Sequence, residues 1–137
     1  MKKIVSLLLM CTILVLSLNS IAFAAEGDTP VVTPRWANIS SIDGYVSVDD
    51  GNDGVFHAVI DGYTNVTRIT ASANLYYLNS SNRWVEIPRD WEYDVYATEL
   101  VMYETFSANS DYQYKVVVSI DVYAGNNVES VVRTFTT

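Results

Sequence analysis

Between Asp111 and Tyr123 the chain reads DYQYKVVVSIDVY, with an apolar or aromatic side chain at every second position. Tyr112, Tyr114, Val116, Val118, Ile120 and Val122 fall on one face, and Gln113, Lys115, Ser119 and Asp121 fall on the other. A period of two is the spacing of a strand with one buried face and does not fit a helix. The GNN at Gly125–Asn127 is a turn signal, and VESVVRTFT, Val128–Thr136, returns as the partner strand of a hairpin.

The same reading extends upstream. Val66–Leu78 places Thr67, Ile69, Ala71, Ala73, Leu75 and Tyr77 on one face and Arg68, Thr70, Ser72 and Asn74 on the other. NSSN, Asn79–Asn82, is a turn, and Arg83–Pro88 follows as a short strand in which the proline favours an edge or an end. VFHAVI, Val55–Ile60, is apolar on both faces apart from His57, so it is expected at the centre of a sheet. Ile39–Val48 is strand-like but is expected to break at Asp43-Gly44, and Tyr93–Phe106 has strand composition without a clear phase. That makes about seven strands, a number that suits a sandwich or barrel.

Composition supports the class. From Ala25 onward the chain has 17 Val, 10 Tyr and 10 Thr against 3 Leu, and only one each of Lys, Gln and Met. β-Branched and aromatic side chains fit a pleated surface and lose rotamer freedom in a helix. The expected fold is all-β, a single antiparallel sandwich over residues 35–137.

The start of the chain reads differently. Lys2 and Lys3 precede an apolar run from Ile4 to Leu18, and Ala22-Phe23-Ala24 closes it with the small residues of a cleavage site. Residues 1–24 are therefore expected to be a signal-peptide helix. The run is short for a membrane span, which needs about 20 apolar residues. Residues 25–34, with two prolines and no periodicity, read as a disordered lead. Cleavage would leave 113 of the 137 residues and move the net charge from −8 to −10, since both lysines leave and no acid does. The only cysteine, Cys11, leaves too, which removes disulfides, thiolate zinc sites and thiol catalysis from the mature protein. So acidic a chain is not expected to bind nucleic acid or an anionic membrane. No sorting motif of the LPxTG type is visible, so release from the cell is expected.

Little chemistry is visible. His57 is the only histidine, no GxSxG elbow accompanies it, and it is expected as a packed or edge residue. DDGNDG, Asp49–Gly54, resembles a calcium loop only superficially. Counted from Asp49, the third position is Gly51 and the twelfth is Ile60; counted from Asp50, the fifth is Gly54. A plain turn is the expectation, with Asp49, Asp50 and Asp53 as the weak calcium candidates. Asp90, Glu92 and Asp94 alternate with Trp91 and Tyr93, so the acids share one strand face and are expected in solvent rather than in a catalytic pair. The mature chain holds 16 aromatic residues, some of which must be core, and an excess on an outer face would suit sugar stacking or a protein partner. Trp84, Trp91, Tyr76 and Tyr93 are the candidates for an exposed binding surface, with core packing the first expectation for each taken singly. No cofactor is expected.

FSANSDY, Phe106–Tyr112, resembles the LxPxTxY tyrosine-corner segment of fibronectin type III domains, with Phe106, Ala108, Ser110 and Tyr112 in its four places. The hairpin after it looks like the last one of a fibronectin type III or immunoglobulin-like sandwich. That resemblance implies that Tyr112 packs under the inter-sheet crossover and bonds its hydroxyl to upstream backbone. VFHAVIDG lacks the tryptophan usual in fibronectin domains. Residues 35–137 also resemble a domain-of-unknown-function family of small secreted proteins from clostridial-type Gram-positive bacteria, through RWANISSI, VTRITASANLYYL, Trp84 and the YQYKVVVSIDVY run. That family implies no activity. The functional expectation is a secreted, non-catalytic binding or interaction module for an extracellular protein or glycan. A carbohydrate-binding module using exposed Trp and Tyr is the alternative, and a small hydrolase is a distant third.

Overall fold

The alternation from Tyr114 onward places a strand at the middle of a sheet. The computed structural model describes residues Arg35–Thr137, all of them strand, turn or irregular backbone with no helix. The expected export signal, residues 1–24 with Cys11, and the expected lead, residues 25–34, lie outside the described residues.

Seven strands run in order: β1 (Ile39–Val48), β2 (Asp53–Gly62), β3 (Arg68–Leu78), β4 (Trp84–Val95), β5 (Glu99–Ser107), β6 (Tyr114–Ala124) and β7 (Asn127–Thr136). They form a three-stranded sheet, β1-β2-β5, and a four-stranded sheet, β4-β3-β6-β7, with every neighbouring pair antiparallel. The chain changes sheet between β2 and β3 and again between β4 and β5 and between β5 and β6. VFHAVI lies in β2, at the centre of its sheet as expected.

The inward faces close one core. Phe56, Ala58, Ile60, Leu100 and Met102 from the first sheet meet Ile69, Leu75, Val116, Val118, Ile120 and Val122 from the second. Burying side chains of this size contributes about 1.5–3 kcal/mol each. A chain of rings runs through it: Phe135 beside Phe56, Phe56 stacked on Trp91 at 6.1 Å, Trp91 against Phe106, and Phe106 against Tyr114. Phe56 and Trp91, from opposite sheets, supply the aromatic mass that no tryptophan supplies on β2.

Three local expectations are corrected. β1 does not break at Asp43-Gly44 but pairs continuously with β2 there. The glycine is needed for close approach: a Cβ on Gly44 would lie 2.6 Å from the His57 carbonyl oxygen and 2.9 Å from the Phe135 ring. The short strand ending at Pro88 is instead the first half of β4. Ala73 pairs with Trp91 and Leu75 with Ile87, so β4 carries two extra residues around Pro88–Asp90. β4 is an edge strand, and a bulge on an edge accommodates a proline without losing a ladder bond.

The third correction concerns the corner. Tyr112 is 42% exposed and rests against the Tyr77 ring. The ring under the crossover is that of Tyr114, which is buried, and its hydroxyl oxygen accepts the Asn109 backbone N–H at 2.7 Å. The reason is the turn at Asn109–Tyr112. Asn109 accepts Asp111 N–H on its side chain and Tyr112 N–H on its carbonyl, so the strand starts only at Tyr114. Tyr112 and Tyr114 share a phase, and alternation alone does not choose between them.

The chain enters the sandwich beside β7. Ala37 and Asn38 donate backbone N–H groups to the Glu129 carboxylate at 2.9 and 2.7 Å, and Arg133 lies over the Trp36 ring at 4.7 Å.

Candidate functional site

A two-layer sandwich has two outward faces, and here they differ in chemistry. On the three-stranded sheet the odd-numbered residues point outward, and register aligns them in rows. Ser47, Val55 and Thr105 form one row, Tyr45, His57 and Tyr103 the next, and Asp43, Val59 and Val101 the third. The middle row is aromatic across all three strands. Tyr45 and His57 have ring centroids 5.5 Å apart and planes tilted by 30°, and His57 meets Tyr103 edge-on at 6.4 Å and 67°. Tyr45 is 51% exposed and Tyr103 60%, and Val101 is exposed beside them. Cross-strand pairing holds these groups on a rigid backbone.

His57 therefore stands on the open face of the central strand between two tyrosines. It is not an edge residue, and its ring partners are aromatic. Sequence reasoning missed this surface, although it contained the signal. VFHAVI is apolar on both faces, and only one face of a strand in a two-layer sandwich is covered by the other sheet.

Charge separates the two sheets. β1, β2 and β5 contain no Lys or Arg, and Asp43, Asp53, Asp61 and Glu99 lie on their outward rows. Asp61 accepts the Ser41 hydroxyl at 3.0 Å. At the Asp53 end, a shallow depression of about 620 Å³ is lined by Asp53, Val55, Thr105 and Ser107, with Arg89 reaching in from the β4 bulge.

The four-stranded sheet turns a mixed face outward, with Val128 and Val132 exposed on β7 and an aromatic–cation cluster at each end. Lys115 sits 4.5 Å from the Trp84 ring centroid and 5.1 Å from that of Tyr76. Arg68 lies over Tyr96 and Tyr123 and makes a two-pronged pair with Asp94, both bonds 2.7 Å. That guanidinium holds Asp94 below the usual carboxylate range, and Asp94 in turn raises Arg68. Thr70, Ser72, Glu92, Ser119 and Asp121 occupy the space between.

The four aromatic candidates separate. Trp91 is only 8% exposed and belongs to the core, stacked on Phe56, so it presents no binding surface. Tyr93 is half-buried where the sheets' edges meet, and its hydroxyl donates to the Glu104 carboxylate of β5. Burial, then the bond to Glu104, pushes the Tyr93 phenol above its usual range, against a weaker opposite effect of the Tyr103 backbone. Trp84, 38% exposed, and Tyr76 do share the outward face, but the Lys115 ammonium lies over both rings.

Asp90, Glu92 and Asp94 are exposed on β4, as their alternation implies. In the Asp49–Gly54 turn the Asp49 carboxylate accepts the backbone N–H groups of Gly51 and Asp53, at 2.9 and 2.8 Å. Asn52 takes the left-handed conformation, with φ 63°, that closes the turn. Asp49 is thereby committed to backbone, apart from Asp50 and Asp53. Among the described residues no group of three or more His, Cys, Asp or Glu side chains is placed to hold a metal ion. No protein-family model matches this sequence, and no curated protein matches it.

Proposed function

We propose that this protein is an exported, non-catalytic binding module that contacts an extracellular protein through the outward face of its three-stranded sheet. The observation that carries the reading is the exposed Tyr45–His57–Tyr103 row, flanked by Val55, Val59 and Val101. Side chains this apolar on an uncovered face are typical of protein contact surfaces, where Tyr is enriched. A sugar platform is supported less well. The rings of the row are not coplanar, and the Trp84–Tyr76 pair is covered by Lys115. A hydrolase is supported least, because the acids of β4 lie on an open face and His57 has aromatic neighbours.

The immunoglobulin or fibronectin type III assignment belongs to the same proposal. Two features support it: the strand order β1-β2-β5 over β4-β3-β6-β7, and the Tyr114 hydroxyl bonded back across the turn before β6. Fold alone carries no function.

A photo-crosslinking amino acid at position 103, with the same group at position 84 as the contrast, tests the contact face. The expected result is an extracellular protein adduct from position 103 and none from position 84. Adducts from position 84 alone, or a glycan-array signal unchanged by Tyr103→Ser, would refute the reading.

A further inference from the structure

Resting on the proposed contact face, we infer that its partner is a cationic protein segment: an apolar stretch carrying Arg or Lys, seated across Tyr45, His57 and Tyr103. The argument is charge complementarity. The centre of the face is aromatic and aliphatic, while its outward rows hold Asp43, Asp61 and Glu99 at one end and Asp53 at the other. None of the face's three strands supplies a cation. The cations of residues 35–137 lie elsewhere: Arg35 in the entering segment, Arg68 on β3, Arg83 before β4, Arg89 in the β4 bulge, Lys115 on β6 and Arg133 on β7. Three of them, Arg68, Lys115 and Arg133, are already laid over aromatic rings of their own.

Such a face attracts guanidinium and ammonium groups in two ways. The carboxylates at its ends steer and pair with them, and the exposed rings of Tyr45 and Tyr103 accept a cation on their π faces. Arg89 marks where this ends, so the partner's positive groups belong at the Asp43–Asp61–Glu99 end. A second copy of the chain is a poorer occupant, because it brings the same carboxylates and no cation on that face. Nucleic acid and anionic glycans meet like charge there.

The test uses the full exported chain, labelled with 15N, and three octapeptides: alternating Arg–Val, alternating Glu–Val and alternating Arg–Ser. Arg–Val is expected to bind, with shift changes confined to β1, β2 and β5, and with affinity falling as salt rises. Arg–Ser should bind at least about tenfold more weakly, and Glu–Val not at all. Tyr103→Ser should weaken Arg–Val binding by about tenfold or more. Because Tyr103 is exposed, that variant keeps its fold, which its own spectrum verifies. The combined Asp43→Asn, Asp61→Asn and Glu99→Gln variant should bind more weakly and lose most of the salt dependence.

The inference is overturned, with the contact face left standing, if Glu–Val binds the same rows as well as Arg–Val does, or if no Arg–Val binding occurs while position 103 still crosslinks a protein. A doubled mass in sedimentation that Tyr103→Ser abolishes also overturns it, in favour of a second copy. Shift changes confined to β3, β4, β6 and β7 overturn both the inference and the contact face beneath it.

Discussion

Replacing Tyr114 separates two ways of placing the corner residue that differ by one strand period. The ring is buried against Phe106 at a centroid distance of 5.3 Å, and the hydroxyl accepts one backbone N–H, from Asn109 at 2.7 Å. Tyr114→Phe removes that bond alone. Asn109 is exposed, so water replaces the lost acceptor, and the cost falls at the low end of about 0.5–1.5 kcal/mol. Tyr114→Ala also empties a core site at the end of the ring chain and should cost about 3–5 kcal/mol. Tyr112→Ala loses a half-exposed ring and its contact with Tyr77 at 5.5 Å, worth about 1 kcal/mol. Urea melts resolve these differences. With a slope of about 1.5 kcal/mol/M, Tyr114→Ala lowers the midpoint by about 2–3 M and Tyr112→Ala by less than about 1 M. Equal midpoints for the two alanine variants, or a larger loss at Tyr112, would refute the placement of Tyr114 under the crossover.

The Tyr93 phenol, raised by burial and by Glu104, favours the protonated form in the folded state. The stability tied to it is complete below its ordinary value of about 10 and is lost as pH rises beyond that, so melts should show an alkaline decline that Tyr93→Phe flattens. Gly54→Ala puts a methyl into the Phe106 ring, which Trp91 and Tyr114 hold in place, and overpacking of this kind costs about 1–3 kcal/mol in the same melts. Glu129→Ala strips the acceptor from the Ala37 and Asn38 amides, and hydrogen exchange at those two residues should speed up while β6 stays protected.

Much of the fold was legible because period-two patterning is strong where one face is buried. The phases of β3 and β6 follow from it directly, while the hairpin at Gly125 was legible from its turn residues and the central place of β2 from a run apolar on both faces. What was not legible depended on three-dimensional neighbours. Gly44 looks like a strand breaker until Phe135 is placed beneath it. Tyr112 and Tyr114 are equivalent under a shift of two, and only the turn at Asn109 selects between them. The site was less legible than the fold. Tyr45, His57 and Tyr103 are far apart in sequence and become a row only through the pairing register. Trp91 and Trp84, by contrast, have similar strand settings, and nothing local says that one is core and the other surface.

A sandwich can recruit a partner through a strand edge or through a face, and the edges of this one are blunted. β4 carries Pro88 and a bulge. β5 points Glu104 inward, where Tyr93 from the other sheet holds it. β7 has Glu129 and Arg133 on its inward-facing set, engaged with the entering chain at Ala37–Asn38 and at Trp36. β1 has a register irregularity at Ile39–Ser41. Adding a strand would mean displacing one of these devices, whereas the Tyr45–His57–Tyr103 row needs no rearrangement to be reached. That row would itself be a liability in a neutral protein, since exposed aromatic faces bring copies together. The net negative charge of the chain, with Asp43, Asp53, Asp61 and Glu99 at the ends of the row, opposes that contact. If the proposed contact face holds, the same carboxylates that keep two copies apart select, among foreign partners, those that bring positive charge.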